Sequence, residues 1–151
     1  METISFSILI QADPKTVWNN MLEDKTYRIW TEAFHKGSYF EGSWNKGSEI
    51  RFLGPDENGS VSGMFSRIYD NVPYQLISIE HLGMIVDGAV DTESEEVKKW
   101  TPAFENYRFR EHGTGKTELI VEMQTAEEYK GMFEDMWPKA LKALKDLCEA
   151  R

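Results

Sequence analysis

Two polar residues stand on strand faces that are otherwise apolar. In the segment Ala103 to Glu111, Glu105 shares a face with Tyr107 and Phe109, because side chains in a strand repeat every second residue. In the segment Tyr74 to Leu82, His81 follows Ile77 and Ile79 on one face. A carboxylate that points into an apolar interior has to be paired or protonated, and His81 is a partner of the right chemistry. Such a pair orients a polar ligand group, or serves as acid and base in a cavity. An internally satisfied structural pair, or a rim position open to water, leaves the same trace in a sequence.

Other chemistry finds less support. His35, His81 and His112 lack the close paired spacing of a metal site, and Cys148 is the only cysteine, so neither metal nor disulfide nor redox cofactor is expected. No Gly-x-Ser-x-Gly nucleophile pattern occurs, and no catalytic residue is assigned. His112 to Thr117 looks like the end of a phosphate-binding loop, but Arg110 stands where that loop needs glycine and both flanks read as strands. It is expected to be a hairpin turn. Asn58-Gly59-Ser60 matches a glycosylation acceptor, yet Asn-Gly is turn chemistry and no glycan is expected.

The elements that must position these residues follow from periodicity. Thr3 to Ile10 alternates as an opening strand. Asp13 with Pro14 starts a helix to about Leu22, and Asp24 caps a second carrying Tyr27, Ile29 and Trp30. Strands follow at Ser38–Trp44, Glu49–Leu53, Ser60–Tyr69 and Tyr74–Leu82. The acidic stretch Asp87 to Glu96 reads as a solvated loop, and a last hairpin pairs Ala103–Glu111 with Lys116–Gln124. Thr125 with Glu128 reads as a capping box opening a final helix near Ala126. In that helix Phe133, Met136, Trp137, Ala140, Leu141, Leu144 and Cys148 mark the apolar side, and Pro138 inside the pattern predicts a bend that holds helix and sheet apart. The fold class is α+β: a curved antiparallel sheet wrapped around one long C-terminal helix.

Composition bounds the rest. With 151 residues and no linker or repeat, the chain 1–151 is expected to form one domain. The net charge of -9 and the absence of a Lys/Arg cluster argue against nucleic acid. No apolar run approaches the roughly 20 residues of a membrane span, and Met1 leads directly into strand spacing, so a cytoplasmic location is expected.

The order of elements, Val17-Trp18 with Tyr27 to Phe34 behind it, the turn Gly42 to Gly47, and the closing Trp137, Pro138, Ala140, Leu141 and Leu144 resemble the SRPBCC (START and Bet v 1-like) superfamily. Within it the chain is most similar to small bacterial members of the heat-shock-protein-90 ATPase activator homologue group. The resemblance implies a helix-grip fold with a cavity for hydrophobic ligands. Relatives include ligand carriers, antibiotic-sequestering proteins and polyketide cyclases. The eukaryotic activator carries an additional amino-terminal domain that contacts the chaperone, for which this chain has no room.

The expected function is non-enzymatic binding of a small hydrophobic or aromatic molecule between sheet and closing helix. Trp30, Phe34, Trp100, Tyr107, Phe133, Met136 and Trp137 supply apolar walls, and His81 and Glu105 supply orienting hydrogen bonds. Two other classes compete: a cyclase or hydrolase using His81 and Glu105 as acid and base, and a protein-interaction module, chaperone-associated or otherwise, using the acidic loop or an exposed sheet face.

Overall fold

Alternation of buried and exposed side chains builds most of the molecule. The computed structural model describes residues 1–150. Strand β1 (Glu2–Ile10) is followed by helices α1 (Pro14–Leu22) and α2 (Asp24–Trp30) and a short 3-10 turn at Thr31–Ala33. Strands β2 (Tyr39–Gly42), β3 (Glu49–Pro55), β4 (Val61–Val72), β5 (Leu76–Val86) and β6 (Ala89–Asp91) come next. After them run α3 (Glu95–Lys98), β7 (Ala103–Glu111), β8 (Thr117–Thr125) and α4 (Glu127–Glu149). The strands form one antiparallel sheet in the order β1-β8-β7-β5-β4-β3-β2, with β6 paired to β5.

In β8 the alternation is complete: Leu119, Val121 and Met123 are buried, while Glu118, Ile120 and Glu122 face the other way. The inward residues of β1, β5, β7 and β8 meet α1, α2 and the back half of α4 in one continuous core. Asp13 caps α1 through its carboxylate, which accepts from the Thr16 N–H at 2.8 Å, and Pro14 sits at the first turn, where its missing N–H costs nothing. That bond holds the Asp13 carboxyl below its usual value.

Several local expectations are corrected. Thr125 does not form a capping box, because β8 extends to it and pairs it with Glu2; Ala126 occupies the cap position without a side-chain hydrogen bond. Asp24 is the first helical residue of α2 rather than its cap, and it pairs with Arg28 at 3.1 Å. The acidic stretch is not a plain loop. It contains β6 and α3, and the Ser94 hydroxyl accepts from the Val97 N–H at 3.2 Å. Strand β4 runs on to Val72, beyond the expected end at Tyr69. At the β2–β3 connection glycine is required. Gly42 has φ +119° and an added Cβ would lie 2.5 Å from the Glu49 carbonyl oxygen.

Candidate functional site

The register of three strands sets a row of polar side chains into the core. Ser66 on β4 lies opposite His81 on β5, just past an irregularity between Phe65 and Ser66. Glu105 on β7 pairs with Ile79, so it stands one diagonal step from His81, within reach of a long side chain. Ser66 Oγ lies 2.7 Å from His81 Nδ1, and His81 Nε2 lies 2.9 Å from Glu105 Oε1. The Tyr107 hydroxyl donates to the other oxygen, Oε2. With Glu105 ionised, the imidazole donates from Nε2 and its Nδ1 accepts from the Ser66 hydroxyl; a protonated imidazole donates at both ends. Every member has a partner, which is what a buried polar group requires.

A fifth group stands close enough to feel the charge of the row. Tyr27 on α2 is 7 % exposed. Its ionisation is pushed far up, first by burial and then by the charge of Glu105. Tyr107 is raised by the same two causes and also by its hydrogen bond to Glu105. The carboxylate's field therefore reaches both phenols.

Aromatic rings enclose this polar row. Trp137 on α4 has its ring 4.8 Å from Phe34, 6.0 Å from Trp30 and 6.1 Å from Tyr107 between centroids. Its indole N–H points at the Met123 sulfur, 3.1 Å away. Phe52 lies 6.0 Å from the His81 ring, and Tyr27 joins Trp30 at 5.4 Å. Of the residues expected at the site, the structure thus brings together Trp30, Phe34, His81, Glu105, Tyr107 and Trp137. Phe133 packs at the edge of the core. Met136 and Trp100 are half-buried outside it; Trp100 lies between α3 and β7, where its backbone N–H donates to the Val97 carbonyl at 3.2 Å. Ser66 and Tyr27 were not anticipated. The signal for Ser66 was a small polar residue two positions before the inward Ile68; for Tyr27 it was a hydroxyl on the apolar stripe of a short helix.

The space expected to stand open between sheet and α4 is filled by these rings, with Trp30 and Trp137 at 1 % and 2 % exposure. Two shallow depressions lie elsewhere. One, of about 190 Å³, is bordered by Phe6, Ser7, Ile8, Pro138 and Leu141; the other, of about 210 Å³, includes Phe104, Asn106 and Glu122. Pro138 does not interrupt α4, which runs unbroken from Glu127 to Glu149. The two halves of this helix nevertheless differ. Its buried residues are Trp137, Ala140, Leu141, Leu144 and Cys148, so no side chain from Glu127 to Met136 is buried.

Serine, imidazole and carboxylate in a row have the composition of a hydrolytic triad, but this geometry does not make a nucleophile. Ser66 is fully buried at 0 % exposure, and a nucleophilic hydroxyl has to face its substrate. What the row offers is hydrogen-bonding capacity in an apolar setting, where each such bond is stronger than in water. Among the described residues no group of three His, Cys, Asp or Glu side chains is arranged to hold a metal ion, and no helix is long and apolar enough to cross a membrane.

A curved antiparallel sheet gripping a long C-terminal helix, with two short helices after the first strand, is the helix-grip architecture. Solved structures of this fold match the chain over almost its whole length. A protein of Cytophaga hutchinsonii has a TM-score of 0.72 at 15% identity, covering 99% of this chain and 94% of its own. The Aha1 dimer from Colwellia psychrerythraea gives 0.71 at 16%, covering 99% and 98%. A protein of Mesorhizobium loti gives 0.70 at 14%, covering 97% and 96%. The neighbours thus include an Aha1 protein, as the resemblance implied, and at these identities the likeness is one of fold. No family profile matches the chain, and no curated protein matches it by sequence.

Proposed function

We propose that this protein binds, without catalysis, a small and largely apolar molecule between the sheet and α4. The observation that carries the reading is a hydrogen-bonded polar row set among aromatic rings, one of them Trp137 of α4, whose preceding half has no fully buried side chain. A core built for stability alone gains little from a buried ionisable pair, because the desolvation cost about cancels the attraction. Entry requires room, and α4 supplies a way to make it. Pro138 donates no hydrogen bond to the Glu134 carbonyl, and Gly131 carries no side chain to pack. The segment Glu127–Met136 lifts at Pro138, and Trp137 and Phe34 part to admit the ligand. A cytoplasmic location accords with this role.

The test is native mass spectrometry of gently purified protein, followed by tryptophan-fluorescence titration against a diverse hydrophobic library. A retained mass released on unfolding, or saturable binding that perturbs Trp30 and Trp137, supports the proposal. No retained mass and no saturable binding across the library would remove it.

A second reading rests on another region. Met84, Val86 and Val90 at the β5–β6 tip are 37%, 51% and 40% exposed, beside Asp87, Asp91, Glu93, Glu95 and Glu96. An apolar tip rimmed by acidic residues suits a basic protein partner. On this reading, purified bacterial heat-shock protein 90 retains the chain in a pull-down, and retention falls as salt rises.

A further inference from the structure

The two end strands of the sheet are finished differently. Strand β2 is four residues long and carries a charge, Glu41. Strand β1 is nine residues long and pairs with β8 in an unbroken register, and from Thr3 to Ile10 it holds no charge and no proline. Short length, charge, proline and bulges are the usual guards of a strand edge against pairing, and β1 has none of them. The register shows which of its groups are free. The hairpin bond from the His112 N–H to the Lys116 carbonyl turns the even-numbered residues of β8 toward β7, so the odd-numbered ones bond the even-numbered residues of β1. Thr3, Ser5, Ser7 and Leu9 therefore turn their N–H and C=O groups outward. At one end α4 satisfies the edge: the Leu9 carbonyl accepts from Lys145 at 3.1 Å, and the Gln11 N–H donates to Glu149 at 2.8 Å. Among the described residues no hydrogen bond reaches the edge groups of Thr3, Ser5 and Ser7, and all three residues are exposed.

A seam runs beside this open stretch. Phe6, Ser7 and Ile8 border the depression of about 190 Å³ whose other wall is Pro138 and Leu141 of α4, which leaves room for an aliphatic side chain projecting from a strand laid along β1. One turn before Pro138, the exposed Glu134 lies on the same flank of the helix. The lysines of α4 are all in ion pairs, Lys130 with Glu2 and the others within the helix, whereas Glu134 and the two glutamates that open α4 make none among the described residues. The seam is apolar and its approach is acidic. A second copy of this chain does not fit there. Paired strands lie about 4.8 Å apart, and packed helices need about 8–10 Å between axes. Because α4 runs along β1, with Trp137 stacked on Phe6, two copies joined β1 to β1 would force their α4 helices into each other. An extended segment brings no helix.

We infer that β1 takes up, as an added antiparallel strand, an extended basic segment of another protein. The backbone of that segment bonds Thr3, Ser5 and Ser7, an aliphatic side chain opposite Phe6 fills the seam, and a lysine or arginine two positions on, opposite Ile4, faces Glu134. Main-chain bonds give such pairing its affinity, and alternate side chains give it selectivity. The surface is separate from the ligand space between sheet and helix and from the β5–β6 tip, and it depends on neither.

The probe is the blocked peptide acetyl-Thr-Leu-Thr-Lys-Thr-amide, titrated at low ionic strength into the isotope-labelled protein and followed by NMR. Its shifts saturate with a midpoint below about 1 mM and centre on Thr3–Ser7 and Glu134–Leu141. Methylating the nitrogen of the central threonine, which faces Ser5, weakens binding at least about 5-fold, the scale of one hydrogen bond; this comparison needs no protein variant. Ser5→Pro, which removes an edge donor that β8 does not use, weakens binding to the same degree. Glu134→Lys weakens it by about 2- to 5-fold at low salt and leaves it unchanged at high salt. Equal binding of the plain and methylated peptides, shifts centred elsewhere on the surface, or no saturation up to about 1 mM overturns the proposal. So does a dimer in sedimentation that Ser5→Pro abolishes, which would seat a second copy on this edge.

Discussion

If the front of α4 is the entry to the core, its amides should exchange with solvent far faster than those of the back. The structure sets the scale. Ala140, Leu141 and Leu144 are at 0 %, 2 % and 0 % exposure, so opening them exposes core and approaches global unfolding, about 5–15 kcal/mol for a domain. From Gly131 to Met136 opening exposes only the part-buried Phe133 and Met136, the helix start has no side-chain cap, and Pro138 has already removed a backbone bond. Opening there should cost only about 2 kcal/mol, the low end of the local range. A difference of about 3 kcal/mol or more corresponds to at least about 100-fold in exchange rate. Pro138→Ala restores the missing donor and removes a helix-interior penalty of about 3 kcal/mol. Exchange from Gly131 to Met136 should then slow by at least about 10-fold and at most about 150-fold, with slower uptake, in stopped flow, of any library compound that binds. Hydrogen exchange read by NMR resolves the two halves. Equal protection of Gly131–Met136 and Ala140–Leu144 in the wild type would mean that α4 moves as one rigid unit, and the entry route would be wrong.

Three further outcomes follow from burial. Trp137→Ala removes a ring at 2 % exposure packed against Phe6, Trp30, Phe34 and Tyr107, and should destabilise by about 3–5 kcal/mol in urea titration; a loss under about 1.5 kcal/mol would show that the ring is not part of the packed core. Tyr27 and Tyr107 ionise above their ordinary range in the fold, first through burial and then through Glu105, so the unfolded chain releases these protons first. Their contribution is intact below about pH 10 and is lost as pH rises, at about 1.36 kcal/mol per unit each and about 2.7 for the two. Cys148, pushed up to about 12 by burial and then by Glu149, acts in the same direction. Urea midpoints across pH 9.5 to 11.5 test this, and a flat profile refutes it. Finally, His81→Leu alone and Glu105→Leu alone should each cost about 3–5 kcal/mol by stranding a partner, while the double variant should recover most of that loss. A double variant as unstable as the sum would make the pair structural.

The sequence makes the frame of this fold legible and hides some of its contacts. The last hairpin is readable because Leu119, Val121 and Met123 alternate with polar neighbours, and its first strand has the expected bounds, Ala103–Glu111. His81 and Glu105 are readable as inward polar residues by the same alternation, and they lie within hydrogen-bond distance. Ser66 is not readable this way. It meets His81 only through a strand register carrying an irregularity at Phe65/Ser66, which period-two counting cannot locate. Met136 and Trp137 were both placed on the wall, yet adjacent helical residues point about 100° apart, so one of the two had to leave the narrow seam. Trp137 holds it, because the face it shares with Ala140, Leu141 and Leu144 is the buried one. Trp100 was misplaced because the segment before it, read as loop, holds β6 and α3.

The places where local rules are broken are themselves informative. Helices α1 and α3, away from the polar row, are capped by Asp13 and Ser94. Helices α2 and α4, which bring Tyr27, Trp30 and Trp137 to the row, have no side-chain cap. Interior Pro138 and Gly131 fall in α4 as well. Each is a cost of about 0.5–3 kcal/mol that substitution readily removes. Scattered at random, such faults would mean only that the chain is marginally stable. Gathered on the two helices that cover one buried polar row, they place the weakest part of the fold over that row, which is where a protein that must open for a ligand has reason to keep them.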